Sequence, residues 1–247
     1  MIRSKLGLKA LGMCALVLGL MAVWAGADQA ESTGGSWTYE TGGVLKTFEG
    51  ALAEPEVTGK MEAGTVGILH AKVLGGTSLL YECKAFTVDS GNLKTGGLVL
   101  GKLTFKECET FLNGVLSKNC NPKAGGTEEG VIKTNLIKAV MLLHKLASGT
   151  VDKILVAEPD EANNDFAFVE STTACSIGLK VLIGGKFAIQ DPAPTAHSVN
   201  HLISEFAPLT HLFVISDTAE HAATILGSAE AFLKGTHTGF KFAGLWN

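Results

Sequence analysis

The sequence predicts an all-β protein, a sandwich or barrel-like arrangement of antiparallel sheets joined by Gly-rich turns. Three observations lead there. Apolar runs recur with strand-like alternation, as in TVGILHAKVL at 65–74 and SLLYECKAFTV at 78–88. Glycine pairs separate them at Gly75-Gly76, Gly96-Gly97 and Gly125-Gly126, and Gly184-Gly185 interrupts a long later run; glycine reaches the positive φ that tight turns need. A hydrophobic fraction of 46% with only six prolines in 247 residues leaves material for a sizeable core. Many short strands between turn signals is the pattern of sandwiches and barrels.

In chain order, the first segment is of another kind. Arg3, Lys5 and Lys9 precede an apolar run, Ala10 to Trp24, and Ala25-Gly26-Ala27 offers small residues at a cleavage site. Residues 1–27 therefore read as a cleaved secretory signal peptide, since the run is shorter than the roughly 20 residues of a membrane span. Residues 28–36 (DQAESTGGS) are small and polar and read as a flexible mature N-terminus. The all-β domain then covers 37–247.

Within that domain, alternation around Trp37 and Tyr39 marks a first short strand over 36–40. Runs 65–74 and 78–88 form a hairpin through Gly75-Gly76-Thr77. Further strands are expected at 98–105, 129–134, 153–157, 166–170 and 176–189. Two stretches are ambiguous. Asn135 to Leu146 has Leu136, Val140, Leu143 and Leu146 at helical spacing, with Asn135 as an N-cap. Ala219 to Leu233 is Ala-rich, interrupted by Gly227-Ser228. Asp191-Pro192-Ala193-Pro194-Thr195 is a possible internal boundary near 191–196. No repeat of solenoid or propeller period is evident.

Outside the signal the cysteines are Cys83, Cys108, Cys120 and Cys175, an even number in a chain expected to be exported, which favours two disulfides. Three pairings are possible. The short loop through Asn113-Gly114 favours Cys108–Cys120, leaving Cys83–Cys175 to tie an early strand to a late one. A zinc site is disfavoured, because there is no CxxC pair.

Charge excludes some partners. The full chain is −4, and loss of the signal leaves 17 basic against 24 acidic residues. No dense Lys/Arg run offers a nucleic-acid footprint or a polybasic membrane patch, so neither nucleic acid nor membrane insertion after signal cleavage is expected.

From residue 65 to 244, the order LTFKEC (103–108), then GVIKTNLIKAVML (130–142), then FAFVESTTACSIGLKVLIGG (166–185), with a tail spanning Ile225 to Gly244, resembles a family of uncharacterised secreted proteins from soil actinobacteria. Ala139 stands where that pattern prefers glycine, and the segment between Phe168 and Cys175 is longer than usual. The resemblance implies strands for both ambiguous stretches and implies no activity.

Several side-chain clusters have the composition of chemical sites. Glu158, Asp160, Glu161 and Asp165, with Asn163 and Asn164, supply the oxygens calcium takes, but no EF-hand spacing, so they read as an acidic loop. His197 and His201 would share a helix face as metal ligands, but lie about 13 Å apart on a strand. His211 follows without an HExxH pattern. Glu107 and Glu109 flank Cys108, and a carboxylate pair could serve a glycosidase. Trp37, Tyr39, Tyr81 and Trp246 could stack on sugar rings, but core or edge packing is the favoured reading. There is no GxSxG motif and no phosphate loop. The expectation is an exported non-enzymatic β-domain, structural or ligand-binding, of the envelope or medium, with no cofactor and no metal, and with possible envelope or carbohydrate contact. The alternative is a secreted carboxylate-dependent hydrolase acting on glycans.

Overall fold

The structure, a computed structural model, describes residues 30–31, 35–48, 54–145, 148, 151–160, 165–178, 180–191, 198–205, 209–216 and 218–246. The expected signal peptide lies outside the described residues. The strands are β1 (Ala30–Glu31), β2 (Gly35–Thr41), β3 (Val44–Thr47), β4 (Val57–Met61), β5 (Gly67–Val73), β6 (Thr77–Lys94), β7 (Leu98–Leu112), β8 (Val115–Leu116), β9 (Lys123–Ala124) and β10 (Glu128–Glu129). They continue as β11 (Ile132–Lys133), β12 (Ile137–Lys145), β13 (Val151–Pro159), β14 (Asp165–Glu170), β15 (Lys180–Gln190), β16 (Asn200–Glu205), β17 (His211–Ser216), β18 (Ala219–Leu226), β19 (Ser228–Leu233) and β20 (Lys241–Trp246). The only helical turns among the described residues are short 3₁₀ turns such as Leu74–Gly76 and Thr95–Gly97.

The registers describe a closed barrel of eight long antiparallel staves in simple up-and-down order. The staves are β4/β5, β6, β7, β11/β12, β13/β14, β15, β16/β17 and β18/β19. In the lower half, β5 pairs with β6, β6 with β7, β7 with β11, β14 with β15, β15 with β17, β17 with β18, and β18 with β5. A bridge between Thr134 and Ala167 supplies the remaining join. The upper half closes through β7–β12, β12–β13, β13–β15, β15–β16, β16–β19 and β19–β4. Its seam is the Glu56–Asn92 bridge, reinforced by Leu93 N–H donating to Pro55 O at 3.0 Å. Closure removes free sheet edges.

Bends in the staves come from identifiable residues. In β7 the inward positions run Val99, Gly101, Leu103, Phe105, then change parity at Glu107, whose φ is +53°, to Cys108 and Thr110. In β6 a register shift between Val88 and Ser90 restores Gly91 and Leu93 to the interior. At the seam β4 lies so close to β6 that a Cβ on Gly91 would sit 2.5 Å from Val57 O. Ion pairs between facing residues cover the outside: Lys60–Glu230, Lys138–Glu158 and Lys180–Glu170 are each direct cross-strand partners. Exposed pairs of this kind stabilise by about 0–1 kcal/mol each and help fix register.

Both ambiguous stretches are strands. Residues 137–145 face two apolar surroundings: Ile137, Ala139 and Met141 look inward, while Leu142 packs outside with Ile154, Val156, Ala188 and Leu209. A strand buried on both faces loses its alternation, which is why helical spacing could be read into it. The Ala-rich stretch is β18 and β19, separated by Gly227 (φ +149°).

A second sheet, β20–β2–β3, caps the upper mouth. Trp37 Nε1–H donates to Leu98 O at 3.1 Å, and Tyr39 stacks between Phe48 and Phe240 at 4.6 and 5.6 Å. Gly97 (φ +72°) lets β2 cross the β6–β7 turn, where a Cβ would lie 3.0 Å from Gly35 Cα. Within the stretch 28–36, Ala30 and Glu31 pair with His144 and Leu143, and Gly35 and Ser36 open β2. Residues 192–197, most of the possible boundary, lie outside the described residues. The strands on either side pair directly, Ile189 with Glu205.

The disulfide pairings correct the sequence expectation. Cys83 joins Cys108, with Cα atoms 3.9 Å apart, and Cys120 joins Cys175 at 4.7 Å. The local hairpin around Asn113-Gly114 does form, Phe111 opposite Leu116. Cys108, however, points into the barrel at its cross-strand partner Cys83. Cys120 sits in a 3₁₀ turn whose carbonyl accepts from Thr110 Oγ1 at 2.8 Å, and there meets Cys175. Together with buried Ile177, whose carbonyl accepts from Ser216 Oγ at 3.1 Å, this bridge closes the lower mouth.

Candidate functional site

The barrel is not filled. An upper chamber of about 270 Å³ lies beneath the cap, and a smaller one of about 80 Å³ lies below it. Leu103, Phe105, Ile137, Phe187 and Ile225 line both, forming a waist. The upper chamber exists because several inward positions carry small side chains: Ala139 and Ala157 on one wall, Ala229 and Ala231 on the opposite one. Gly59, Gly67, Gly91 and Gly101 add backbone surface. Trp37, Phe242 and Trp246 form its roof.

The charged side chains that strand alternation directs inward are Asp191, His201 and Glu205. Asp191 follows inward Phe187 and Ile189 by the two-residue period, and His201 and Glu205 flank inward Ile203. His201 Nδ1 donates to Asp191 Oδ2, and Nε2 donates to Phe242 O at 2.7 Å. Both ring nitrogens face acceptors, so the pairing selects the imidazolium. Burial acts to lower the His201 pKa, but the Asp191 carboxylate and the Phe242 carbonyl more than offset it, and the ring titrates above its ordinary value. The Phe242 carbonyl also accepts from Ser198 N at 3.2 Å. His201 thus fastens the cap strand β20 to the barrel wall.

Glu205 is different. Its Oε2 accepts from Gly227 N–H at 3.1 Å, at the bend between β18 and β19. It lies on β16 four residues from His201, about 13 Å along the strand, near the waist where Gly227 meets Gly67. No cation pairs with it among the described residues.

The other residues singled out in the sequence are scattered. Glu107 and Glu109 lie on the outside, Glu109 3.4 Å from Lys84. Glu158 pairs with Lys138 at 3.1 Å, and Asp160 is exposed. Desolvation raises the Asp165 pKa, and its backbone carbonyl accepts from Asn135 Nδ2. Glu161, Asn163, Asn164 and His197 lie outside the described residues, and His211 is exposed on β17. Among the described residues no group of three or more His, Cys, Asp or Glu is placed to hold a metal ion. Tyr81 packs in the lower chamber, where burial pushes its phenol up. Trp37 and Trp246 reach the upper chamber, while Tyr39 is packed under the cap. Asp191 and Glu205 were not legible as a pair of site residues. Read as a strand, NHLISE carries polar residues at 201 and 205 and Ile203 on one face, and nothing local says which face is inward.

No protein-family model, no curated protein and no solved structure matches this chain. No helix among the described residues is long and apolar enough to cross a membrane.

Proposed function

We propose that this protein is a non-enzymatic binder of a small apolar molecule, held in the upper chamber of the barrel and working outside the cytoplasm. The observation that carries the reading is the chamber itself. Protein interiors normally fill to a packing density of about 0.74, whereas here alanines occupy inward positions and leave about 270 Å³ empty beneath an aromatic roof. That is near the lower bound of small-molecule pockets, roughly 300–1,000 Å³, and eight-stranded barrels are the size that holds one small ligand. The two disulfides support an oxidising compartment. The apolar lining favours hydrocarbon over sugar, and Trp37, Tyr39, Tyr81 and Trp246 pack inside the barrel or beneath the cap, not as an exposed platform.

The test is titration of the folded protein with an apolar fluorescent probe such as N-phenyl-1-naphthylamine. Saturable binding at one site is expected, lost in Ala157→Leu and Ala231→Leu, which fill the chamber while keeping or raising the melting temperature. Absence of saturable binding, or binding unchanged by both filling variants, would refute the reading.

A further inference from the structure

We infer that the upper chamber takes an amphiphile whose polar end is a hydrogen-bond donor, an alkylammonium or alcohol group, seated against Glu205. This rests on the chamber being a binding site, and goes beyond it by assigning the ligand's chemistry. Charge decides the sign. Asp191 and His201 neutralise each other beneath the cap, and both nitrogens of the imidazolium are already occupied by Asp191 and by Phe242 O. Neither nitrogen is left to receive an anionic head. Glu205 is half-buried on the chamber wall, with one hydrogen bond, from Gly227 N–H, among the described residues. A carboxylate accepts at about four lone-pair positions, so most of its capacity is unused. A ligand group that donates a hydrogen bond, with or without positive charge, matches those open acceptor positions. A ligand carboxylate would add like charge at that wall. The hydrocarbon part then extends between the alanine walls toward Trp37 and Trp246.

The experiment compares n-octylamine, n-octanol and n-octanoate, equal in chain length, as competitors of N-phenyl-1-naphthylamine on the wild-type protein near pH 7. The expected order is amine, then alcohol, then carboxylate, with amine at least about tenfold tighter than carboxylate, a difference of about 1.4 kcal/mol. Glu205→Gln keeps an oxygen for Gly227 N–H. It should weaken octylamine about tenfold and leave octanol within about twofold. Octanoate binding as tightly as octylamine, or unchanged amine affinity in Glu205→Gln, would overturn the inference while leaving the chamber a binding site. If neither the probe nor any octyl compound binds, the binding reading falls as well. The wild-type ranking stands as a test even if Glu205→Gln fails to fold.

Discussion

His201 donates to Asp191 from one ring nitrogen and to the Phe242 carbonyl from the other, so a single imidazolium joins the end of β15, the wall strand β16 and the cap strand β20. That proton therefore supplies one of the bonds holding the cap to the barrel, beside Trp37–Leu98 and Ser198–Phe242.

The pH consequence follows from the direction of the shift. His201 titrates above its ordinary value of 6.5 in the folded protein. Its contribution is fully present below pH 6.5 and is lost as pH rises through the folded pKa. Thermal unfolding followed from pH 5 to 10 should show stability declining on the alkaline side, and His201→Gln should flatten that part of the profile. Hydrogen bonds to charged groups stabilise by about 1.5–3 kcal/mol, which sets the cost expected of His201→Gln below pH 6.5. In Asp191→Asn the ring pKa should fall, as read by NMR of the imidazole carbons. An unchanged pKa would mean that Asp191 does not hold the proton.

Gly185 is the bend of β15, where its partners change from β14 and β17 to β13 and β16. Its φ is +96°, and a Cβ there would collide with the His211 carbonyl oxygen. Gly185→Ala should cost about 2–4 kcal/mol or prevent folding. Gly42→Ala is the comparison, since φ is +57° there but nothing lies within 4 Å. It should cost only about 1 kcal/mol, the penalty of the left-handed conformation itself. Urea unfolding of both variants separates steric collision from backbone preference.

Much of the fold was legible because glycine pairs mark turns whatever surrounds them. Gly75-Gly76 and Gly96-Gly97 both join adjacent antiparallel strands. The second also held the disulfide answer: counting outward from a turn at 95–97 pairs Lys94 with Leu98 and, after one register shift, Cys83 with Cys108. The shorter loop at Asn113-Gly114 points instead to Cys108–Cys120, which the structure does not form. The site was less legible. Asp191 sits beside two prolines and reads as linker, and His201 reads as half of a spaced histidine pair. Only barrel closure, through contacts remote in sequence, turns Asp191, His201 and Glu205 toward one interior.

The waist should control ligand length. Phe187 separates the chambers and sits 5.3 Å from Phe166 between ring centroids. Phe187→Ala would join about 270 Å³ to about 80 Å³. Stability should fall by about 3 kcal/mol, at the low end for aromatic truncation because the ring is only partly buried. Across a series of alkyl alcohols, the tightest-binding chain should lengthen in the variant. A chain-length optimum that does not move would show that ligands stop short of the waist.

The two disulfides should differ in what they hold. Cys83–Cys108 spans 25 residues within strands already joined by their own ladder. Cys120–Cys175 spans 55 residues and fastens two lower loops that share few strand hydrogen bonds, such as Thr172 N to Asn119 O at 3.3 Å. In the chain-entropy description the longer loop contributes about 4 kcal/mol and the shorter about 3.5 kcal/mol. Loop length alone therefore separates them little, and locality decides. Cys120→Ala with Cys175→Ala should speed hydrogen exchange around Thr172 and Ile177 and leave octanol binding in the upper chamber nearly unchanged. Cys83→Ala with Cys108→Ala should leave a cavity between β6 and β7 and lower the melting temperature without selectively exposing those loops. Peptide mapping without reductant checks the pairing first, and recovery of a Cys108–Cys120 peptide would contradict both expectations.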